Sequence, residues 1–597
     1  MLQHLFTLDD NATTSLQRQL QRKLIDAILS GYFAAGTRMP SSRKLADMLG
    51  VSRNTVVAAY EQLIDEGYLL SRERSGIFVS DHLYDEHAQA ANCDDENVEP
   101  FDWDAACNAC TIESSKPPYP DNWADYEFPF IDGQYDQSLF PLSQWRECSR
   151  LSLNVDEIKS WARDSGYQDD PSLIHEIRTK VLPRRGIQAR PEEILVTLGS
   201  QQALYLVSRL LMNSTTLLTT EEPGYQGIRQ LAQQNLCPIR FASIAKDGIN
   251  LQEISAQTRL LYVTPSHQVP TAVTMSREKR DALMQRASED DFVIIEDDYE
   301  SEANFISNPN PALKSLDTQG RVVYISSFSK ALAPGLRLGF MVADPALISR
   351  ARQLRALILR HPPANNQRIM ALFLSLGYYD MTMRRLHQAI SERWQELREA
   401  LNHYLGPYIV TSETMGGGTC WVKGPPGLDS QKFAAAAAEK GILIEPVDRF
   451  YGGSERPESY FRLGVRSLPK EKIRPGIEQL AKLIEDIRAD GDPAFGRHLT
   501  GQELKQFLSN VAFTGHTVFG DPYTITLFAD GKMQGVEGHN DEKKDIGTWW
   551  LKGNTWFRQW QHWSYGELLG FDIYITESRI HWVRDGKLVD AANYLKP

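Results

Sequence analysis

The chain lacks any excess of basic charge. Its 597 residues carry 64 Lys and Arg against 77 Asp and Glu, a formal net charge of −13. Any surface that binds nucleic acid must therefore be local. Cysteine is scarce: six, without regular spacing, which excludes a disulfide scaffold and points to a reducing compartment, the cytoplasm. No run of about 18 apolar residues occurs, so no membrane span is expected. The opening Met1-Leu-Gln-His-Leu5 reaches Asp9-Asp10 without a basic stretch and apolar core, and predicts no secretion signal. What remains is ordinary globular composition, 42% hydrophobic, over a length that predicts several domains.

The first 80 residues read as a DNA-binding module. Leu16, Leu20, Leu24, Ile25 and Ile28 recur at helical spacing until Gly31 and Gly36 break the pattern. Ser41 is placed to cap a short helix that stops at Gly50, and Ser52 to cap the next. Helix, glycine turn and second helix make a helix-turn-helix, whose second helix would present Ser52, Arg53, Asn54 and Thr55 to a major groove. Tyr68–Val79 reads as a hairpin wing that brings Arg72 and Arg74 to the DNA backbone. The residues Arg38, Pro40-Ser-Ser-Arg43, Leu45-Ala46, Val51-Ser-Arg-Asn-Thr-Val56, Ala59-Tyr60, Glu66-Gly67-Tyr68 and Gly76 resemble the α/β winged helix-turn-helix of GntR-type regulators. The resemblance implies DNA contact by Arg38, Ser41, Ser42, Arg43, Ser52, Arg53, Asn54, Thr55, Tyr60, Arg72 and Arg74.

Residues 81–125 read as a flexible acidic linker, because Lys116 is their only Lys or Arg and little apolar surface is available for ordering. Cys107-Asn-Ala-Cys110, with Cys93, His82 and His87 nearby, lacks a second ligand pair at zinc-finger spacing. Tethered thiols are the expected reading, and no metal is assigned.

From 126 to 490, strand-like runs alternate with helical ones. Ile194–Val196, Thr216–Leu218, Leu260–Val263, Phe292–Glu296 and Val322–Ile325 predict a mainly parallel sheet covered by helices. Ligands of such sheets bind beyond the carboxyl ends of the strands, and the motifs fall there. Gly199-Ser-Gln201 opens a helix with free backbone N–H groups for a phosphate. Tyr225 follows the next strand and offers a ring for stacking. Glu296-Asp-Asp-Tyr299 follows another. Lys330 follows the last, within Ser326-Ser-Phe-Ser-Lys-Ala-Leu-Ala-Pro-Gly-Leu-Arg337. A buried lysine with a lowered pKa attacks an aldehyde, while Ser327 and Arg337 can hold a phosphate. Asp297 is placed to keep a pyridine nitrogen protonated, and Tyr299 to reach a ring hydroxyl. The cofactor this set requires is pyridoxal 5'-phosphate.

With Phe130-Ile-Asp-Gly133, Leu139-Phe-Pro141, Trp145, Thr264-Pro-Ser-His-Gln268, Pro270-Thr271, Pro311-Ala-Leu313 and Phe461-Arg-Leu-Gly464, this region looks like the aminotransferase-like fold type I domain (α/β, mainly parallel, with a small subdomain). Joined to its reader, the chain resembles the MocR family of transcriptional regulators. The resemblance implies that Lys330 carries the cofactor and that Asp297 and Tyr299 hold its ring. Gly199, Ser200, Gln201, Ser327 and Arg337 would serve the phosphate, with Gln268 or His267 beside the ring. Arg462 would clamp an effector carboxylate, the task a guanidinium fork suits; its bland alternative is a surface salt bridge. Ala272 stands where the family usually has glycine.

Beyond residue 496 the composition changes. Six of the 12 tryptophans lie there, at 549, 550, 556, 560, 563 and 582. Short β-prone runs meet at Asp530-Gly531, Gly553-Asn554 and Asp585-Gly586, predicting hairpins and a small antiparallel barrel or sandwich over 496–597. Its tryptophans either fill a core or line a sensor pocket. The whole reads as a homodimeric regulator that binds an operator and responds, through Lys330, to an amine, an amino acid or pyridoxal phosphate itself. The alternative is a working aminotransferase with an accessory winged helix.

Overall fold

The computed structural model describes residues 8–9, 14–81, 101–103, 119–134, 136–300, 310–406, 410–411, 417–425, 428–453, 459–491, 497–517, 522–538, 543–563, 568–576, 579–584 and 587–595. They fall into two compact units, 1–109 and 110–597. Most of the 81–125 segment, with Cys93, Cys107, Cys110, His82 and His87, lies outside the described residues.

In the first unit, helices α1 (Leu16–Leu29), α2 (Ser42–Leu49) and α3 (Arg53–Asp65) precede a hairpin of β1 (Leu69–Arg72) and β2 (Gly76–Val79). The hydroxyls of Ser41 and Ser52 accept from Lys44 N and Thr55 N at 3.3 and 3.2 Å; such caps are worth about 1 kcal/mol each. Gly50, at φ +70°, ends α2 in a conformation that costs a side chain. Leu20, Leu24, Ile28, Leu45, Val56, Leu63, Leu69 and Val79 then pack one small core.

The second unit opens on an eight-stranded sheet. Its strands are β3 (Ile194–Thr197), β4 (Leu218–Glu222), β5 (Ile239–Ala245), β6 (Gly248–Ile249), β7 (Leu260–Val263), β8 (Val293–Asp298), β9 (Val322–Ser327) and β10 (Gly339–Val342), in the order β3-β10-β9-β8-β7-β4-β5-β6. Neighbours among β5, β4, β7, β8 and β9 are parallel, and β10 runs antiparallel to β9 and β3. One expected strand shifts. The run at Thr216–Leu218 begins only at Leu218, because the Asn213 side chain accepts from Thr215 N at 2.8 Å and closes a turn. The strand continues through the polar Thr219, Thr220 and Glu221; Thr219 Oγ1 meets Thr258 Oγ1 at 2.7 Å and Glu221 accepts from Thr264, which pairs these two in the core.

A second, antiparallel sheet follows: β11 (Val410–Thr411), β12 (Thr419–Lys423), β13 (Glu445–Pro446) and β14 (Tyr460–Gly464), in the order β11-β12-β14-β13. The C-terminal region is a closed barrel rather than a sandwich. Eight antiparallel strands run Val511–His516, Pro522–Leu527, Lys532–Glu537, Lys543–Lys552, Thr555–Trp560, Leu569–Ile575, Arg579–Arg584 and Lys587–Leu595. Each pairs with the next and the last with the first. Closure leaves no free sheet edge. Gly531 (φ +82°) and Gly553 (φ +66°) make two of the expected turns; Asp585-Gly586 lies outside the described residues. Trp549, Trp556, Trp560 and Trp582 are buried, while Trp550 is 39% exposed. No helix among the described residues is long and apolar enough to cross a membrane.

Candidate cofactor site and DNA-reading surface

On the reader, Arg53 and Asn54 open α3 and are exposed, as are Arg38, Ser41, Arg43, Ser52, Arg72 and Arg74; Ser42 and Thr55 are half-buried. Arg74 sits at the hairpin tip with φ 61°. Arg72 lies over the Phe78 ring and pairs with Asp81 at 2.8 Å, an exposed pair that a phosphate can displace cheaply. Tyr60 is a correction to the DNA-contact set. It is 2% exposed, and its hydroxyl donates to Pro40 O at 2.9 Å. It ties α3 to the approach to α2, because its ring completes the small core.

Lys330 sits on the single turn Phe328–Ala331 that follows β9. The sequence predicts it buried; its side chain is instead 31% exposed. Its Nζ lies 3.2 Å from Asp132 Oδ2 and 5.5 Å from the centroid of the Tyr299 ring. Asp297, on β8, is paired in register with Ile325 of β9. One carboxylate oxygen accepts from the Tyr262 hydroxyl at 2.9 Å; the other, Oδ1, is buried without a partner. Burial pushes the Asp297 carboxyl up to about 7, against the Tyr262 hydrogen bond and the nearby Lys330.

Gly199 starts the helix α4 (Gly199–Leu211) at φ +74°, and a Cβ there would sit 3.4 Å from the Arg337 guanidinium. Arg337, itself at φ 47°, donates to Leu198 O at 3.0 Å. Ser200 is half-buried beside it, and Ser327 is half-buried at the end of β9. The Ser329 hydroxyl accepts from Leu338 N at 3.0 Å and so ties the lysine turn to the arginine turn. Tyr225 donates to Gln201 Oε1 at 2.7 Å and lies parallel to Tyr262, ring centroids 6.5 Å apart.

Three residues expected by the effector or the ring behave differently from one another. Arg462 is 4% exposed, not a surface ion pair. Its Nε donates to Glu445, its Nη2 lies 3.4 Å from Asp132 Oδ2, and its guanidinium carbon is 5.0 Å from the Phe450 centroid. Protein carboxylates therefore already occupy the expected clamp. His267 is buried with Nε2 3.2 Å from Glu300 Oε2, and burial pulls its pKa below the usual value. A Cβ on Gly417 would fall 2.0 Å from its ring, so only glycine fits there. Gln268 is a correction to the ring-side set. Its amide donates to Pro223 O at 2.8 Å and to Val269 O, and accepts from Thr271 N and Oγ1 at 3.1 and 2.6 Å. Its hydrogen-bonding groups are consumed in shaping the loop. Ala272 ends that loop at φ 61°, which explains why glycine is usual there.

Sequence reasoning missed Asp132, Tyr262, Glu300, Glu445 and Arg466. Arg466 pairs with Glu300 at 2.6 Å and donates to the Lys330 carbonyl at 3.2 Å. Asp132 is buried, which works against its charge, yet Lys330, Arg462 and Arg466 hold its carboxyl far below the ordinary range. Its place in Phe130-Ile-Asp-Gly133 was the available signal. Tyr262 had none, because its hydroxyl sits in an apolar run.

The residues present fit pyridoxal phosphate: an orphaned buried carboxylate oxygen, a reachable amine and a glycine cradle facing a guanidinium. Both regions of the chain are similar to known proteins. Residues 16–79 match the gntR family of bacterial regulatory proteins, and residues 132–480 match aminotransferase class I and II. The chain is 38% identical over 479 residues to the HTH-type transcriptional regulator TauR of Rhodobacter capsulatus, covering 80% of this chain and 98% of that protein. It is 31% identical to the probable rhizopine catabolism regulatory protein MocR of Rhizobium meliloti, covering 82% and 97%. Among solved structures, a Pyrococcus horikoshii kynurenine aminotransferase in complex with PMP is 26% identical with a TM-score of 0.57, covering 61% of this chain and 92% of that one.

Proposed function

The chain belongs to the MocR family of transcriptional regulators, a gntR-type reader fused to an aminotransferase-like domain, and from that premise we propose a cytoplasmic, homodimeric switch that holds pyridoxal phosphate at Lys330 and answers to a primary amine. The aminotransferase class I and II fold implies that cofactor. The observation that carries the assignment to this site is the buried, unpartnered Oδ1 of Asp297 on the strand beside the Lys330 turn.

Bound pyridoxal phosphate supplies an aldehyde that amines capture and a pyridine ring that withdraws electrons. Asp297 is the residue for the ring nitrogen: a carboxylate on which burial keeps a proton near neutrality is matched to a partner that brings its own positive charge. Tyr299 is the donor for the ring hydroxyl. The first N–H groups of α4, at Gly199, Ser200 and Gln201, would hold the phosphate together with Ser327 and Arg337. Tyr225 is the residue that would stack on the ring. Asp132 orients the Lys330 amine and is shared with Arg462 and Arg466, so its pairing would depend on whether that amine is engaged. An effector carrying a carboxylate has to displace Asp132 or Glu445 from Arg462, so a simple amine, an amino acid and the cofactor alone are distinguishable ligands. A switch of this kind works through a difference of about 1–3 kcal/mol between two states. Two readers in a dimer address two half-sites.

The test is direct. Full-length protein is loaded with pyridoxal phosphate, reduced with borohydride and digested, and the Lys330 peptide is weighed; DNA binding is then titrated at fixed salt with cofactor and amines. Label on Lys330, absent in Lys330→Ala, with amine-dependent DNA affinity, is the expected result. Label elsewhere sinks the site. Label without any DNA response sinks the switch, and sustained conversion of amines to oxo compounds would favour a working aminotransferase.

A further inference from the structure

We propose that the C-terminal barrel is a second ligand site, built for a small aromatic anion such as an aryl carboxylate or sulfonate. It lies beyond both matched families, which end at residue 480. The barrel holds a cavity of about 240 Å³. A cavity of ~150 Å³ takes up benzene, so this one accommodates one or two fused rings. Trp560, Trp563, Trp582, Phe571 and Tyr523 line it, with Arg558 among them. Two of these rings lie against glycine: a Cβ on Gly535 would fall 2.2 Å from the Trp563 ring, and one on Gly515 2.6 Å from the Tyr523 ring. Flat aromatic walls of this kind receive a ring by stacking or edge contact.

The polar atoms choose the charge. Arg558 Nε and Trp582 Nε1, both on cavity-lining residues, are buried donors without an acceptor among the described residues. The Arg558 guanidinium carbon is held 5.2 Å from the Phe571 centroid and 5.6 Å from that of Trp556. A buried donor left unsatisfied is costly, and an anionic acceptor relieves that cost most. The cavity also has two carboxylates, Glu537 and Asp590. Lys543 stands 3.5 Å from Glu537; Lys423 stands 3.7 Å from Asp590, whose charge also acts on Tyr523 and on Arg558. A cationic ligand would meet Arg558; an anionic one supplies what its Nε lacks.

The experiment uses full-length protein and three probes that share one ring system: 2-naphthoate, 2-naphthylmethanol and 2-naphthylmethyltrimethylammonium, a cation that cannot condense with an aldehyde, each titrated calorimetrically. Naphthoate should bind about tenfold or more tighter than the alcohol and the cation, the effect of one charge-assisted hydrogen bond. Arg558→Gln should weaken naphthoate by a similar factor, while Arg462→Gln, which alters the other carboxylate-binding guanidinium, should not. Hydrogen exchange on the unmodified chain locates the site without relying on a variant that fails to fold: slowed exchange in 555–563, 568–575, 579–584 and 587–595 is expected. Equal binding of the three probes, preference for the quaternary ammonium, insensitivity to Arg558→Gln in a folded variant, or protection confined to residues before 497 would each overturn the proposal.

Discussion

The cofactor region and the barrel leave opposite kinds of polar atom without protein partners. Around Lys330 these include carboxylate oxygens of Asp132 and Asp297, with one donor, Arg466 Nε; in the barrel they are donors, on Arg558, Trp556 and Trp582. Buried polar groups are ordinarily paired, so each set describes the ligand that would complete it. The first calls for a cationic ring nitrogen or an amine, the second for an anion. The two regions also reach this state by different routes. The sheet collects its acids at strand ends, where the backbone stops and ligands enter. The barrel places its donors on strands whose neighbours are indoles and phenyl rings, which offer no lone pair in return.

Several measurements would break or sharpen that contrast. The largest effect belongs to Lys330→Ala, which should abolish covalent cofactor attachment, read by mass spectrometry after reduction, and leave naphthoate binding unchanged. Loss of both ligands together would mean that the two sites are not separate. Next is Asp297→Asn, which should weaken cofactor affinity by about tenfold or more through loss of the charged partner, measured by equilibrium dialysis. Arg53→Ala touches neither site and should cost operator binding about 1–3 kcal/mol without altering cofactor loading; unchanged affinity in a gel-shift titration would remove Arg53 from the recognition set.

The pH dependence separates the regions by sign. Burial raises Asp297 and Glu221 to about 7 from ordinary values of 3.8 and 4.5. Between those limits the folded domain keeps protons that the unfolded chain has lost, so raising the pH removes stability, and the loss is complete above about 7. In the barrel, Asp545 moves the other way: burial opposes its charge, but the N–H groups of Trp563 and His562 and the His562 ring hold it down. Its contribution is present above the unfolded value and lost on acidification. Cofactor-free protein should therefore show a core transition that falls as pH rises from about 4 to about 7, and a barrel transition that is flat over that range, by calorimetry. The smallest effect is expected from Tyr460→Phe. Its hydroxyl donates to Thr517 O at 2.6 Å, joining β14 to the barrel, and its loss should cost about 1 kcal/mol, seen as a slightly earlier barrel transition.

The reader and the cofactor strand ends were legible because their signals are local. Ser41, Gly50 and Ser52 act on neighbouring backbone, and the Asp297 and Lys330 motifs follow apolar runs that read directly as strands. Tyr60 misled because a tyrosine near a recognition helix reads as exposed until the hairpin and α1 close over it. Gln268 misled for a similar reason: its partners Pro223 and Thr271 surround it only once the loop has folded. Asp132 and Glu445 were invisible as partners of Arg462, since 330 and 17 residues separate them from it and only the sheet brings them together.

The sequence by itself determined that a gntR-type reader precedes an aminotransferase-like region and singled out Lys330 as the candidate lysine, because caps, turns and strand-to-helix transitions are written in short stretches of chain. Only the tertiary structure decided that Arg462 is already engaged, that Asp297 keeps an orphaned oxygen, and that three of the C-terminal tryptophans, Trp560, Trp563 and Trp582, line a cavity with Arg558, whose Nε has no acceptor among the described residues. Those outcomes depend on burial and on pairing across long separations, which arise when the sheets pack and the barrel closes.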